Sequence, residues 1–170
     1  DSLYEALFAR LRSSTEATQV VEAAAILGTR VERNLLLAAV ELDEDALDDV
    51  IRQMVDGQIL APVEEDCWRF RHELLRDVAA EISPPSHRRR FHGKIADALS
   101  AAAATGNPDW TLIAHHYHRA ERYIEASTSY AQASAGAWQR GALIEAQNYL
   151  TAAIDQISLA IDEPARDQIE

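Results

Sequence analysis

The chain has 170 residues, a formal net charge of −12, and is 48% hydrophobic but only 6% aromatic. That is long enough for one compact domain or two small ones, and too apolar for wholesale disorder. The acidic balance disfavours nonspecific binding to nucleic acid or to an anionic membrane.

Alanine is the commonest residue, with six glycines and five prolines, a helical composition. The single Cys67 excludes a disulfide framework and a Cys-rich zinc site, and agrees with a cytoplasmic setting. No apolar run reaches the ~18–20 residues of a membrane span. The opening Asp1-Ser2-Leu3-Tyr4 carries no signal-peptide pattern, and the chain ends in charged, helix-like sequence. A segment of a longer protein is therefore expected.

Leu3, Leu7 and Leu11, with Phe8, predict a first helix. Ser13 and Glu16 read as a capping box for a second, built on Val20, Val21, Ala24, Ala25 and Leu27 and ended by Gly28. A third is predicted from Glu32 to about Val40. Asp43 caps a fourth, whose buried stripe is Leu47, Val50, Ile51 and Met54 and which closes at Asp56-Gly57. The period then changes. Residues 58–63 and 67–71, separated by Glu64-Glu65-Asp66, predict a β-hairpin, with Pro62 on an edge strand. Helices followed by such a hairpin are the outline of a winged helix.

His72 to Ile82 predicts a helix buried through Leu74, Leu75, Val78 and Ala79 and stopped at Ser83-Pro84-Pro85. A long helix from about Ser86 to Ala104 follows, burying Phe91, Ile95, Ala98 and Leu99. Gly106-Asn107-Pro108 reads as the linker. The expected organisation is mainly α: a winged-helix-like domain over 1–83 with one small β-hairpin, a connecting helix over 84–107, and an antiparallel helical array over 108–170. In that array Trp110, Ile113, Ala114 and Tyr117, then Ala126, Tyr130 and Ala133, resemble the tetratricopeptide repeat, in which small alanines let paired helices approach. Ala146, Leu150 and Ala153 repeat the second half, so the helix from Ile124 to Gln139 can serve two pairs.

A winged helix usually reads DNA, but here the helix before the hairpin carries Asp43, Glu44, Asp45, Asp48, Asp49 and Asp56 against Arg52 alone. Phosphates would repel that face. The basic run His87-Arg88-Arg89-Arg90 is either a solvated helix start or a contact for an acidic partner domain or a nucleotide phosphate. His115 and His118 can share a helix face, but no third ligand is spaced to join them, so no metal is expected. There is no Walker loop, no Gly-x-Ser-x-Gly elbow and no His-Glu-x-x-His. The residues by themselves support no catalysis. Phe70 to Ala79 is the most informative stretch: a strand delivers His72 to the first turn of a helix, where free N–H groups favour an anion. The simpler alternative is that His72 caps and packs locally.

Phe70 to Ala79 resembles the Met-His-Asp region of STAND-class signalling ATPases, switch NTPases in which a winged helix follows the P-loop core. Arg71-His72-Glu73 stands where Met-His-Asp would be, and Leu74-Leu75-Arg76-Asp77 continues the match. The resemblance implies that His72, with Arg71, senses the nucleotide phosphate and holds the ADP-bound state. Residues 1–11, 23–28, 68–80 and 117–133 resemble large actinobacterial regulators that join a class III adenylate or guanylate cyclase domain, such an ATPase module and tetratricopeptide-like helices. It implies a non-catalytic regulatory segment that contacts its own ATPase core and effector domain, with possible protein partners on the helical repeats. ATP or ADP would bind in the full-length protein and no cofactor in this segment. The alternatives are part of a LuxR-type transcription regulator, a DNA-binding winged helix, or a peptide-binding helical scaffold.

Overall fold

The computed structural model describes residues 14–104 and 106–166. The predicted first helix, with Leu3, Leu7, Phe8 and Leu11, lies outside the described residues. Eight helices and three strands follow in the order α1 (Thr15–Leu27), β1 (Val31–Glu32), α2 (Arg33–Ala39), α3 (Glu44–Asp56), β2 (Leu60–Glu64), β3 (Cys67–Phe70), α4 (Glu73–Ile82), α5 (Pro85–Ala102), α6 (Trp110–Arg119), α7 (Tyr123–Gln139) and α8 (Leu143–Arg166). The protein is mainly helical with one small antiparallel sheet. No described helix is long and apolar enough to cross a membrane.

The described residues form two compact units that divide between Phe91 and His92, inside α5. The linker at Gly106-Asn107-Pro108 is not that division. Up to Phe91, α5 finds its partners at Glu22, Ala80 and Glu41. From His92 onward they are His116, Tyr117 and Arg122.

In the first unit, α1 is capped by Ser14, not Ser13: its side chain accepts from the Ala17 amide, while Thr18 Oγ1 donates to the Ser14 carbonyl. Gly28 ends the helix at φ +85°, where a side chain would be strained, and its N–H donates to Ala24. Asp43 caps α3 as the sequence predicts, accepting from Ala46 at 2.8 Å. Leu47, Val50, Ile51 and Met54 are all buried on the inner face. β2 and β3 form the predicted hairpin, turned through Glu65 and Asp66, with Asp66 left-handed at φ 56°. The sheet has a third strand that the sequence did not announce. The order is β1-β3-β2, with Val31 opposite Trp68 and Glu32 opposite Cys67. Two residues are too short for any alternation to register. Pro62 sits on the edge strand β2, opposite Trp68, beside a bulge, so its missing N–H costs no ladder bond.

Helix–strand–helix–helix–strand–strand, with the last strand central, is winged-helix order. One predicted core position fails. Leu74 is 67% exposed, because only Leu75 and Ala79 of α4 turn inward and Val78 is half-buried.

In the second unit, Ala96, Ile113, Tyr117 and Ala126 form a cluster with Leu99 and Trp110 packed on its edge. The inner stripe of α5 is thus shifted from the predicted one: Ile95 and Ala96 are buried, whereas Ala98 and Leu99 are only partly so. Helices α7 and α8 form an antiparallel hairpin closed at Arg140-Gly141-Ala142. Ser134 Oγ donates to the Ala146 carbonyl near the turn, and His118, beside the start of α7, reaches Gln156. Ala126, Ala133, Ala137, Ala146 and Ala153 are buried, so the backbones approach closely. The Ala-x-x-Tyr pattern of Ala114 and Tyr117 on α6 recurs as Ala146 and Tyr149 on α8. On α7 Tyr130 is half-buried; of the stripe predicted on α8, Ala146 and Ala153 face inward and Leu150, 51% exposed, does not. Asp97 ties this unit together: it accepts from Tyr117 Oη and from Arg122 Nη1, whose guanidinium also lies 4.7 Å from the Tyr117 ring centre.

Met54 is fully buried beneath the sheet-side face of α3. Met54→Ala is expected to lower the unfolding free energy by about 2–5 kcal/mol, and Asp43→Ala by about 1 kcal/mol. Urea titrations followed by circular dichroism measure both; an unchanged midpoint for Met54→Ala would contradict this packing.

Candidate functional site

β3 sets the position of the candidate residues. Its Arg71 end is held by the Arg71 amide donating to Ile59 O at 2.9 Å. His72 then leaves the strand in an extended conformation, φ −131° and ψ 126°, as N-cap of α4. Its carbonyl accepts from Leu75, but its side chain makes no capping hydrogen bond. Serine or aspartate would have bonded the first-turn amides; the imidazole leaves them uncapped by that route. Arg71, His72, Glu73 and Leu74 are all exposed. Glu73 is in the first turn and pairs with Arg76, which also holds Asp77. The local field at this helix start is therefore mixed: Arg71 and the helix N-terminus favour an anion, and Glu73 opposes it.

The three arginines of the basic run have different surroundings. Arg88 is half-buried and donates to Ala80 O at 3.1 Å, satisfying a carbonyl of the last turns of α4 where a cation meets the negative helix end. Arg90 is 3.5 Å from Glu41 and lies against Phe91. Arg89 is exposed. Beside them His87 Nδ1 is 3.1 Å from the buried carboxylate of Glu22. The structure does not bring His72 together with Arg88, which bonds the opposite end of α4. A helix of that length separates them by about 15 Å.

The face of α3 is acidic and partly internally neutralised. Arg33 forks onto Asp48 at 2.8 and 2.9 Å and reaches Glu44 at 3.2 Å. Those hydrogen bonds raise the guanidinium further above its ordinary pKa and hold the Asp48 carboxyl below the usual range. Arg30 likewise forks onto Glu64 of β2. Exposed Asp45, Asp49 and Asp56 keep the face negative.

The second unit holds a histidine pair that the spacing on one helix could not reveal. His116 of α6 and His92 of α5 are both buried, with their Nδ1 atoms 2.9 Å apart. One Nδ1–H donates to the other ring's lone pair, which fixes opposite tautomers. His115 lies edge-on to both rings. His118, expected on the same face as His115, instead bonds Gln156. Among the described residues no three potential ligands converge to hold a metal. Burial, then the neighbouring His115, pushes the His116 pKa down to about 4. Helices α6–α8 also border an open polar cavity of about 580 Å³, with Asp109, Trp110, Gln132, Gln139, Arg140 and Tyr149 on its wall. Tyr149 Oη donates to Glu145, and that bond raises the phenol pKa.

No family model matches the chain, and neither a curated protein nor a solved structure matches it.

The His116 environment sets a pH dependence. Unfolded, the ring takes a proton near pH 6.5; folded, only near 4. Between those values the unfolded state binds more protons, so stability is complete above about pH 6.5 and falls with acidification, by about 3 kcal/mol at pH 4. Urea titrations between pH 7.5 and 4.5 should show that loss, and His116→Asn should flatten it. A slope that the substitution leaves unchanged would remove His116 as its source.

Proposed function

We propose that this chain is a non-catalytic, signal-transducing segment of a STAND-type regulatory ATPase, coupled to a class III nucleotide cyclase and working in the cytoplasm. The observation that carries the reading is the β3–α4 junction. A central strand, fixed on both edges, ends at an exposed Arg71-His72 pair on a helix start whose side-chain cap is missing. A phosphate bound by the neighbouring ATPase core would meet imidazole, guanidinium and helix amides there. Strand and helix move together, so a contact made in only one nucleotide state would shift the whole winged-helix unit. The Arg76 ion pair keeps Glu73 from dominating the site.

The basic run contributes less than its charge promises. Arg88 is committed to the α4 terminus and Arg90 to Glu41. The helical second unit would serve protein contacts, and its polar cavity offers amide, aromatic and charged groups to an extended segment. Winged-helix order favours a second reading, direct DNA binding. The acidic α3 face weighs against it, since that helix would have to approach phosphates.

The chain by itself is expected to hydrolyse no ATP and to form no cyclic nucleotide; either activity in a clean preparation overturns the proposal. In the longer regulator, His72→Ala should weaken ADP binding and raise basal output, measured by nucleotide titration and cyclic-nucleotide release. Unchanged ADP affinity removes His72 from the mechanism. A salt-dependent gel shift on duplex DNA would favour the second reading.

A further inference from the structure

The start of α6, the last turns of α7 and the start of α8 meet around the polar cavity of about 580 Å³, an ordinary size for a small-molecule site. Its charged groups have hydrogen-bonding capacity left over. Asp109 caps α6 with one oxygen alone: Oδ1 accepts from the amide and hydroxyl of Thr111 and from the Leu112 amide. Those bonds, the Thr111 hydroxyl first, orient the carboxyl and hold its pKa below the usual range. Oδ2 accepts no hydrogen bond among the described residues. Glu145 is arranged in the same way: Oε1 accepts from Tyr149 Oη at 2.9 Å and Oε2 is unused. The Arg140 guanidinium donates no hydrogen bond among the described residues. Its Nη2 stops 3.9 Å from Glu145 Oε1, beyond hydrogen-bond reach. It lies against α7 at Gly136, where a Cβ would stand 3.4 Å from Nη1.

The signs of these charges select the ligand. A simple anion would find one guanidinium against two carboxylates, and a simple cation would meet Arg140 beside Glu145. A ligand carrying both charges finds a partner for each. The gap between Arg140 Nη2 and Glu145 Oε1 sets its scale. An α-amino acid holds its ammonium nitrogen and nearer carboxylate oxygen about 2.7 Å apart by covalent geometry. Laid antiparallel to the protein's own pair, its carboxylate reaches the guanidinium and its ammonium reaches Glu145, each at about 2.8 Å. The Tyr149 phenol is raised first by its bond to Glu145 and further by the Asp109 charge, so both carboxylates act in one field. Trp110 and Tyr149 add aromatic wall for a side chain. We propose that this cavity binds a free α-amino acid, with its carboxylate on Arg140, its ammonium on Glu145 and Asp109, and an aromatic side chain against Trp110 and Tyr149.

The need for two charges sets the free ligand apart from a peptide. An internal residue offers neither charge at its backbone, and each chain terminus offers one. The side chains of Arg140 and Glu145 are 64% and 45% exposed, so a small ligand reaches them without any opening of the unit. The proposal deepens the reading of this cavity as a contact site of the second unit. It invokes no residue of the first unit, so its failure would leave the nucleotide-sensing reading as it stands.

Isothermal titration calorimetry of the 170-residue chain with L-phenylalanine tests it. Saturable binding is expected, with a dissociation constant on the order of 0.1–1 mM for so small a ligand. Phenethylamine and phenylpropionate keep the ring and one charge each, and should bind about tenfold more weakly. Arg140→Gln should weaken phenylalanine by about the same factor and leave phenethylamine unchanged. Glu145→Gln should weaken phenylalanine and leave phenylpropionate unchanged. Circular dichroism of both variants should match that of the unaltered chain, since both side chains are largely in solvent. No saturable heat with phenylalanine up to about 10 mM overturns the proposal. So does either one-charge analogue binding as tightly as phenylalanine, and so does phenylalanine binding that neither substitution weakens. Binding of an end-blocked peptide without binding of phenylalanine overturns it while sustaining the protein-contact reading.

Discussion

β3 is the constraint on which the first unit depends. It is four residues long, yet among the described strands it alone is paired on both sides. Its buried ends, Cys67 and Phe70, face the core, while Trp68 and Arg69 between them are less enclosed. Pairing with β1 draws in the chain between α1 and α2, and the Arg33 amide completes this by donating to Asp66 O. Pairing with β2 fixes the exit of α3 through Ile59. The direction in which the chain leaves β3, and so the place of His72, is set by two ladders. His72 stands exposed at that exit, the position on which the proposed nucleotide contact depends.

Charge decides between two uses of the same fold. In a DNA reader the helix before the wing brings cations to the phosphates. Here Arg30, Arg33 and Arg52 are turned back onto Glu64, onto Asp48 and Glu44, and onto Asp49. They neutralise part of the acidic surface instead of offering charge outward. Surface ion pairs of this kind add little stability individually. Their consequence is electrostatic: they offset much of the positive field that these three arginines could present there. The remaining exposed carboxylates suit a protein surface with complementary cations, or solvent, better than a polyanion.

Periodicity made the large elements legible. Leu47, Val50, Ile51 and Met54 recur at helical spacing and are buried, and Asp43 is a cap by chemistry alone. The hairpin was legible because Pro62, the acidic turn and the β-rich flanks agree. Other features depend on distant partners and left no local trace. β1 exists only because β3 is there to pair with it. Leu74 has the right spacing for a core position but lies on a side of α4 that no described element covers. His92 and His116 are 24 positions apart, and no spacing on α6 could indicate that His116 would bond across to α5 while His118 bonded Gln156. Resemblance pointed to His72, and the structure adds its conformation and exposure; neither the residue pattern nor the fold alone assigns the nucleotide.

The two units hold together by different means. The first buries Leu36, Leu47, Met54, Ile59 and Leu60 completely, a conventional aliphatic core in which each side chain contributes about 1.5–3 kcal/mol. The second buries mostly alanine, serine and histidine, which contribute far less apolar area per residue. Close backbone approach compensates in part through dispersion. The rest falls to polar contacts with fixed geometry: Asp97 with Tyr117 and Arg122, Ser134 with Ala146, His92 with His116. Such contacts specify one packing more sharply than they stabilise it, because each buried group left unpartnered costs more than its bond returns. The larger aliphatic residues of α8 lie outside that interior: Leu143, Leu150, Ile154 and Ile161 are each more than half exposed.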